Sequence, residues 1–203
     1  MAERGYDGLV SRYLNRRLSR PVARALARTP VTPNQVSVAA FLAAAAAGAA
    51  FAAGLAPLGG AVAQASSVVD GVDGDLARAK GMSSRWGGAF DSVLDRYADV
   101  AILGGMTVWA VRHEDWPGAA AVGFLAVLGS LLISYSRARV EASTDAPLSD
   151  GLLGLASRDV RLFLVFLGGL AGQAYWTLAL LAALTFATVL WRLAYLRFVL
   201  RPR

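Results

Sequence analysis

At 203 residues, 56% of them hydrophobic and 17% charged, with a mean hydropathy of +0.49, the chain is too apolar for an ordinary soluble domain, and its apolar blocks fit one membrane domain. Its formal net charge of +6 sits at the ends of those blocks and not in one aromatic-interleaved patch, which argues against nucleic acid as a partner. Cysteine is absent, excluding disulfides and thiol chemistry, and the lone His113, in Arg112-His113-Glu114-Asp115-Trp116-Pro117, reads as a solvated turn residue.

Residues 5 to 28 place Leu9, Val10, Tyr13, Leu14, Leu18, Val22 and Leu26 at helical spacing, with Arg12, Arg16, Arg20, Arg24 and Arg28 on a neighbouring stripe. This predicts an amphipathic helix lying in the headgroup region and bent near Pro21. The charged leader is too long for a cleaved signal peptide, because the apolar run starts only near Val36. Residues 1–33 are therefore expected to form a cytoplasmic interfacial helix, and 34–203 a transmembrane domain.

Thr32 is placed to cap the next helix, with Pro33 at its first position. Six spans are expected, at roughly 34–54, 58–80, 86–111, 118–142, 158–173 and 175–198. The first is Ala-rich and suited to tight packing, the fifth is short, and the one substantial loop joins Ser143 to Ser157. The fold class is an all-α integral membrane protein with six transmembrane helices and an N-terminal juxtamembrane amphipathic helix. With the N-terminus inside, Arg78, Lys80, Arg85, Arg137, Arg139, Arg158, Arg161, Arg192, Arg197, Arg201 and Arg203 collect at the cytoplasmic ends and only Arg112 lies outside.

At the adjoining ends of the second and third spans the chain carries four aspartates in otherwise apolar, small-residue segments. Asp70 and Asp73 stand at i, i+3, and Asp91 and Asp95 at i, i+4, so each pair shares a helical face. A short polar turn, Ala79 to Trp86, makes the two helices antiparallel and lets the acidic faces meet. Four carboxylates in one apolar pocket need a cation, and oxygen-only ligands favour a hard ion, Mg²⁺ or Mn²⁺. Gly71, Gly74, Gly87 and Gly88 remove side chains beside the acids, which allows close helix approach or a substrate lying against backbone. Asp99 continues the stripe one turn on and is expected to pair with Arg96, while Asp75 faces away from Asp70 and Asp73.

The pattern D-x-x-D-G-x-x-A-R, eight residues, then G-x-x-x-D-x-x-x-D, met by Asp70, Asp73, Gly74, Ala77, Arg78, Gly87, Asp91 and Asp95, resembles the signature of the CDP-alcohol phosphotransferase (CDP-alcohol phosphatidyltransferase) family. The span layout is similar as well, so the resemblance covers essentially the whole chain. It implies attack of an acceptor hydroxyl on the phosphorus of a CDP-linked alcohol, with CMP leaving and two divalent ions, Mg²⁺ or Mn²⁺, assisting. It further implies Asp70, Asp73 and Asp91 as metal ligands and Asp95 as both ligand and general base. Arg78, Gly74, Ala77, Gly87 and Ser84, with Asp70, would surround the CDP donor, and a homodimer in the lipid bilayer is expected.

The segments around Thr32, Asp70 and Arg158 are most similar to the branch that makes di-myo-inositol phosphate phosphate from CDP-inositol and inositol phosphate; the alternative is phosphatidylinositol-phosphate synthase, which uses CDP-diacylglycerol. In some members of that branch a cytidylyltransferase domain precedes this one, and here a separate enzyme is expected to supply the CDP-inositol. A divalent-cation transporter is the rival from another class, but acids confined to one membrane face and an accompanying Arg78 do not suit an ion path. Arg137, Arg139, Arg158, Arg161 and Arg192 approach the mouth of the acidic pocket from three other spans, with Arg158 and Arg161 sharing a face. Such a cluster suits the phosphate of a phosphorylated polyol acceptor.

Overall fold

The computed structural model of the chain describes residues 10–143 and 156–199; Leu9, most of the loop expected between Ser143 and Ser157, and Arg201 and Arg203 lie outside the described residues. A π-helical turn, Ser11–Asn15, leads into α1 (Arg16–Leu26), followed by α2 (Pro33–Ala52), α3 (Ala56–Lys80), α4 (Arg85–His113), α5 (Ala119–Ser143), α6 (Arg158–Ala171) and α7 (Ala174–Val199). Among the described residues there is no strand. Helices α2 to α7 coincide with the six expected spans to within two residues at each end.

Three of them, Pro33–Ala52, Ala119–Ser143 and Ala174–Phe198, are long and apolar enough to cross a membrane, with mean hydropathies of 1.7, 1.9 and 1.7. Helices α3 and α4 are as long, but the acids and arginines of the aspartate stretch dilute their apolar character, and α6 has only 14 residues.

Helix α1 packs on α3 through small and polar residues. Asn15, Ser19 and Ala23, four apart, are its buried face, while Tyr13, Leu14, Leu18 and Val22 are exposed. Asn15 donates to Ser67 Oγ at 3.0 Å and accepts from Gln64 Nε2 at 3.0 Å, and the Ser11 backbone N–H reaches Asp159 Oδ2 of α6 at 2.6 Å. The leucine stripe is thus left exposed while a polar rivet holds the helix to the bundle. Pro21 lies within α1, which continues through it to Leu26.

Thr32 caps α2 as the sequence indicates, in a capping box with Gln35 and with Pro33 at the first helical position. Helix α2 lies along both α3 and α4. It crosses α4 where Gly48 meets Gly105: a Cβ on Gly105 would stand 2.0 Å from the Gly48 carbonyl oxygen, so only two glycines permit this approach. Phe51, Ile102, Met106, Leu178 and Leu181 fill the core beyond the crossing. At that far end Glu114 accepts from the N–H groups of Ala174 and Tyr175, both at 2.7 Å, capping α7 beside a cluster of Trp116, Tyr175 and Trp176.

Between α3 and α4 the chain reverses over four residues. Gly81 adopts a left-handed φ of 64°, which ends α3, and Ser84 Oγ accepts from Gly87 N–H at 3.0 Å to start α4. This reversal sets the two aspartate pairs against each other.

Candidate active site

Side-chain oxygens of Asp70, Asp91 and Asp95 lie within 4.8 Å of one another. Asp70 comes from α3 and the other two from successive turns of α4. Asp73 stands beside this trio. It is buried, and its carboxylate accepts from Ser37 Oγ of α2 and from the Gly74 N–H. Oxygen donors at this spacing fit a hard divalent cation, and the trio could hold one. The structure also carries a cation of its own at the trio: Arg158 Nη1 donates to Asp70 Oδ2 and to Asp95 Oδ1, each at 2.8 Å.

Two cavities flank the acids. One, of about 210 Å³, runs between α2, α3 and α4 and is lined by Asn34, Asp73, Gly74, Ala77, Arg78, Ser84, Gly87 and Asp91. The motif glycines serve as its wall: a Cβ on Gly74 would meet only the Arg78 guanidinium at 3.5 Å, and one on Gly88 nothing within 4 Å. Close helix approach is instead the work of glycines elsewhere, such as Gly48 with Gly105 and Gly60 with Gly169. The second cavity, of about 410 Å³, is lined by Asp95, Arg96, Arg137, Arg158, Arg161 and Arg192, together with polar residues of α4 and α5. Asp91 therefore faces one space and Asp95 the other.

The five arginines singled out by the sequence do not all gather. Arg137, Arg158, Arg161 and Arg192 line the second cavity, whereas Arg139, two residues from Arg137 and so on the opposite side of α5, lines a separate groove against α7. Arg161 is buried and heavily committed, donating to Ala156 O at 2.8 Å, Asp99 Oδ2 at 2.7 Å and Ser130 Oγ at 3.2 Å. Arg192 is likewise buried and donates to the Ile133 carbonyl and to Ser136 Oγ.

One of the two flanking acids behaves differently from expectation. Asp99 does not pair with Arg96, which reaches Asp95 at 3.4 Å instead. Buried at 3% exposure, Asp99 binds Arg158 Nε at 3.1 Å, Arg161 Nη2 at 2.7 Å and Ser130 Oγ at 2.6 Å, because the short α6 brings both arginines against α4. Asp75 does face away from Asp70 and Asp73, but it is ligated by Arg16 of α1, by Ser19 Oγ at 3.2 Å and by Arg78 at 2.7 Å. It thereby anchors the guanidinium that lines the first cavity. Sequence reading passed over Asn34 and Ser37; the available signal was a pair of polar side chains in the first turn of an otherwise apolar helix, next to a capping box.

The model of the CDP-alcohol phosphatidyltransferase family matches residues 30–200. The bifunctional IPC transferase and DIPP synthase of Rubrobacter xylanophilus is 46% identical over 97% of this chain, which spans only 44% of that relative's length. The phosphatidylinositol phosphate synthase of Mycolicibacterium smegmatis is 37% identical over 84% of the chain and 78% of its own length. The crystal structure of Mycobacterium tuberculosis phosphatidylinositol phosphate synthase with CDP-DAG bound superposes with a TM-score of 0.75 at 27% identity, covering 89% of this chain and 94% of the other. The same synthase in complex with manganese and citrate gives a TM-score of 0.76 at 27% identity over 87% and 88% of the two chains.

Proposed function

The chain belongs to the CDP-alcohol phosphatidyltransferase family, and from that premise we propose that it transfers the phosphoinositol group of CDP-inositol to a hydroxyl of inositol phosphate, releasing CMP and giving di-myo-inositol phosphate phosphate. The observation that carries this reading is the position of the acids between two unlike cavities, one walled by glycine and Arg78 and the other by five arginines. A donor pyrophosphate suits the first space and a phosphorylated, soluble acceptor the second.

Asp70, Asp73, Asp91 and Asp95 would hold the divalent cation or cations, Mg²⁺ or Mn²⁺, and two ions would match the charge of a pyrophosphate. When bound they supply charge neutralisation and Lewis acidity at the phosphorus. Asp95, which faces the second cavity, takes the proton of the acceptor hydroxyl. The hydroxyl oxygen bonds to the phosphorus that carries the donor alcohol, the bond from that phosphorus to the bridging oxygen breaks, and CMP departs with the electron pair. Arg78 binds donor phosphate, steadied by Asp75; Gly74, Ala77 and Gly87 leave room for the nucleotide, and Ser84 presents a hydroxyl at its edge. Arg137, Arg158, Arg161 and Arg192 draw in the acceptor phosphate, and Arg139 has no part in this.

The membrane frame follows the same reading. Helices α2 to α7 form a six-helix transmembrane domain, and the described segment before α2 lies at the interface, where its exposed leucine stripe meets lipid. The site faces the cytoplasm, and two copies assemble in the membrane. Phosphatidylinositol-phosphate synthesis is the second reading, favoured by the likeness to a synthase crystallised with CDP-DAG. Purified protein given inositol phosphate with either CDP-inositol or CDP-diacylglycerol separates the two. CMP release at least tenfold faster with CDP-inositol is the expected outcome; the reverse ratio would establish the lipid reading.

A further inference from the structure

Arg158 lines the second cavity and is held by two different kinds of carboxylate. Its Nη1 bridges Asp70 and Asp95 at 2.8 Å each, and both belong to the trio that fits a divalent cation. Its Nε donates at 3.1 Å to Asp99, which lies outside the trio and is fixed from behind by Ser130 and Arg161. One edge of the guanidinium therefore rests on the acid cluster and the other on a buried anchor.

A divalent ion takes carboxylate oxygens at about 2.0–2.6 Å and carries twice the charge of a guanidinium. It competes directly with Nη1 for Asp70 and Asp95, and once bound it repels the guanidinium at short range. The Nε contact to Asp99 involves neither of those carboxylates and survives. Turning about that anchor, Nη1 can enter the cavity of about 410 Å³ that Arg158 already lines with Arg96, Arg137, Arg161 and Arg192.

We propose that Arg158 is the internal counter-ion of the acid cluster and that metal binding hands it over to the arginine-lined cavity, so that anion binding there depends on metal occupancy. Asp99 is the positioning residue that makes the movement a pivot and not a release. The proposal rests on the reading of the trio as a metal site. Linkage then requires reciprocity: whatever factor the metal adds to anion affinity, the anion adds to metal affinity.

Mn²⁺ binding to the purified full chain in detergent, read from the paramagnetic resonance signal of free Mn²⁺ with and without sulfate as the anion probe, tests this without turnover. In the unaltered chain, saturating sulfate is expected to tighten Mn²⁺ binding about tenfold. Arg158→Gln, lacking the competitor, should bind Mn²⁺ several-fold more tightly without sulfate and gain less than twofold from adding it. Arg158→Lys keeps a cation for the acids but has no Nε for Asp99, so it should restore weaker Mn²⁺ binding without restoring the sulfate effect. Unchanged or weaker Mn²⁺ binding in Arg158→Gln, or a sulfate effect that persists in it, would overturn the handover while leaving the metal site standing. An unaltered chain that binds no Mn²⁺ would remove the metal reading and the handover together.

Discussion

At the scale of single residues, the acid cluster is a set of unequal parts. Asp70, Asp91 and Asp95 converge, whereas Asp73 is tied to Ser37 and the Gly74 N–H. Replacing Asp70 or Asp91 by Asn is expected to lower CMP release by at least a thousandfold while leaving the thermal unfolding midpoint of the detergent-solubilised protein within a few degrees, since each loses a ligand and no packing. Near-normal turnover in either variant would sink the metal assignment. Asp75→Asn should act differently, raising the donor KM several-fold with a smaller change in kcat, because Arg78 loses its anchor and remains present. Asp99 is the residue whose loss should be felt in folding: with Arg161 left buried and unpaired, Asp99→Leu is expected to cost about 3–5 kcal/mol, measured by unfolding and not by activity. The commitment of Arg161 and Arg192 to backbone carbonyls and hydroxyls also means that their Ala variants need a stability control before any rise in acceptor KM is read as lost binding.

At the scale of helices, the site depends on one crossing and one rivet. The Gly48 and Gly105 contact fixes how near α2 comes to α4, and thereby where Ser37 of α2 stands relative to Asp73 and Asp91. Gly105→Leu should push the helices apart, cost about 1–3 kcal/mol, and depress kcat even though the mutation is nearly three turns from Asp95. Crosslinking yield between cysteines placed on α2 and α4 would report the displacement directly; an unchanged yield with full activity would show that the crossing has slack. On the other side, Asn15, Gln64 and Ser67 hold α1 to α3, and Asn15→Leu should weaken that attachment by about 1–3 kcal/mol because Ser67 and Gln64 are left without their partner. Protease accessibility of the N-terminal segment is the measurement that would register it.

At the scale of the whole molecule, the distribution of arginines sets the expected topology, with the α3–α4 turn inside. A cysteine at position 85 should label only from the cytoplasmic side of the membrane; labelling from outside intact cells would reverse the orientation. The boundaries of α2 to α7 and the D-x-x-D-G-x-x-A-R pattern were determined by the sequence alone, because apolar runs broken by Gly, Pro and polar turns, a capping box and a fixed i, i+3 spacing are local properties that no distant contact has to supply. Tertiary structure decided the rest. That Asp99 belongs to Arg158 and Arg161 and not to its neighbour Arg96, and that Asn15, Ser19 and Ala23 of the N-terminal segment face in, both depend on which helix lies against which. Charges in an apolar bundle pair across space with whatever the packing delivers. Those pairings are long-range, and the linear order of residues does not encode them in any local pattern.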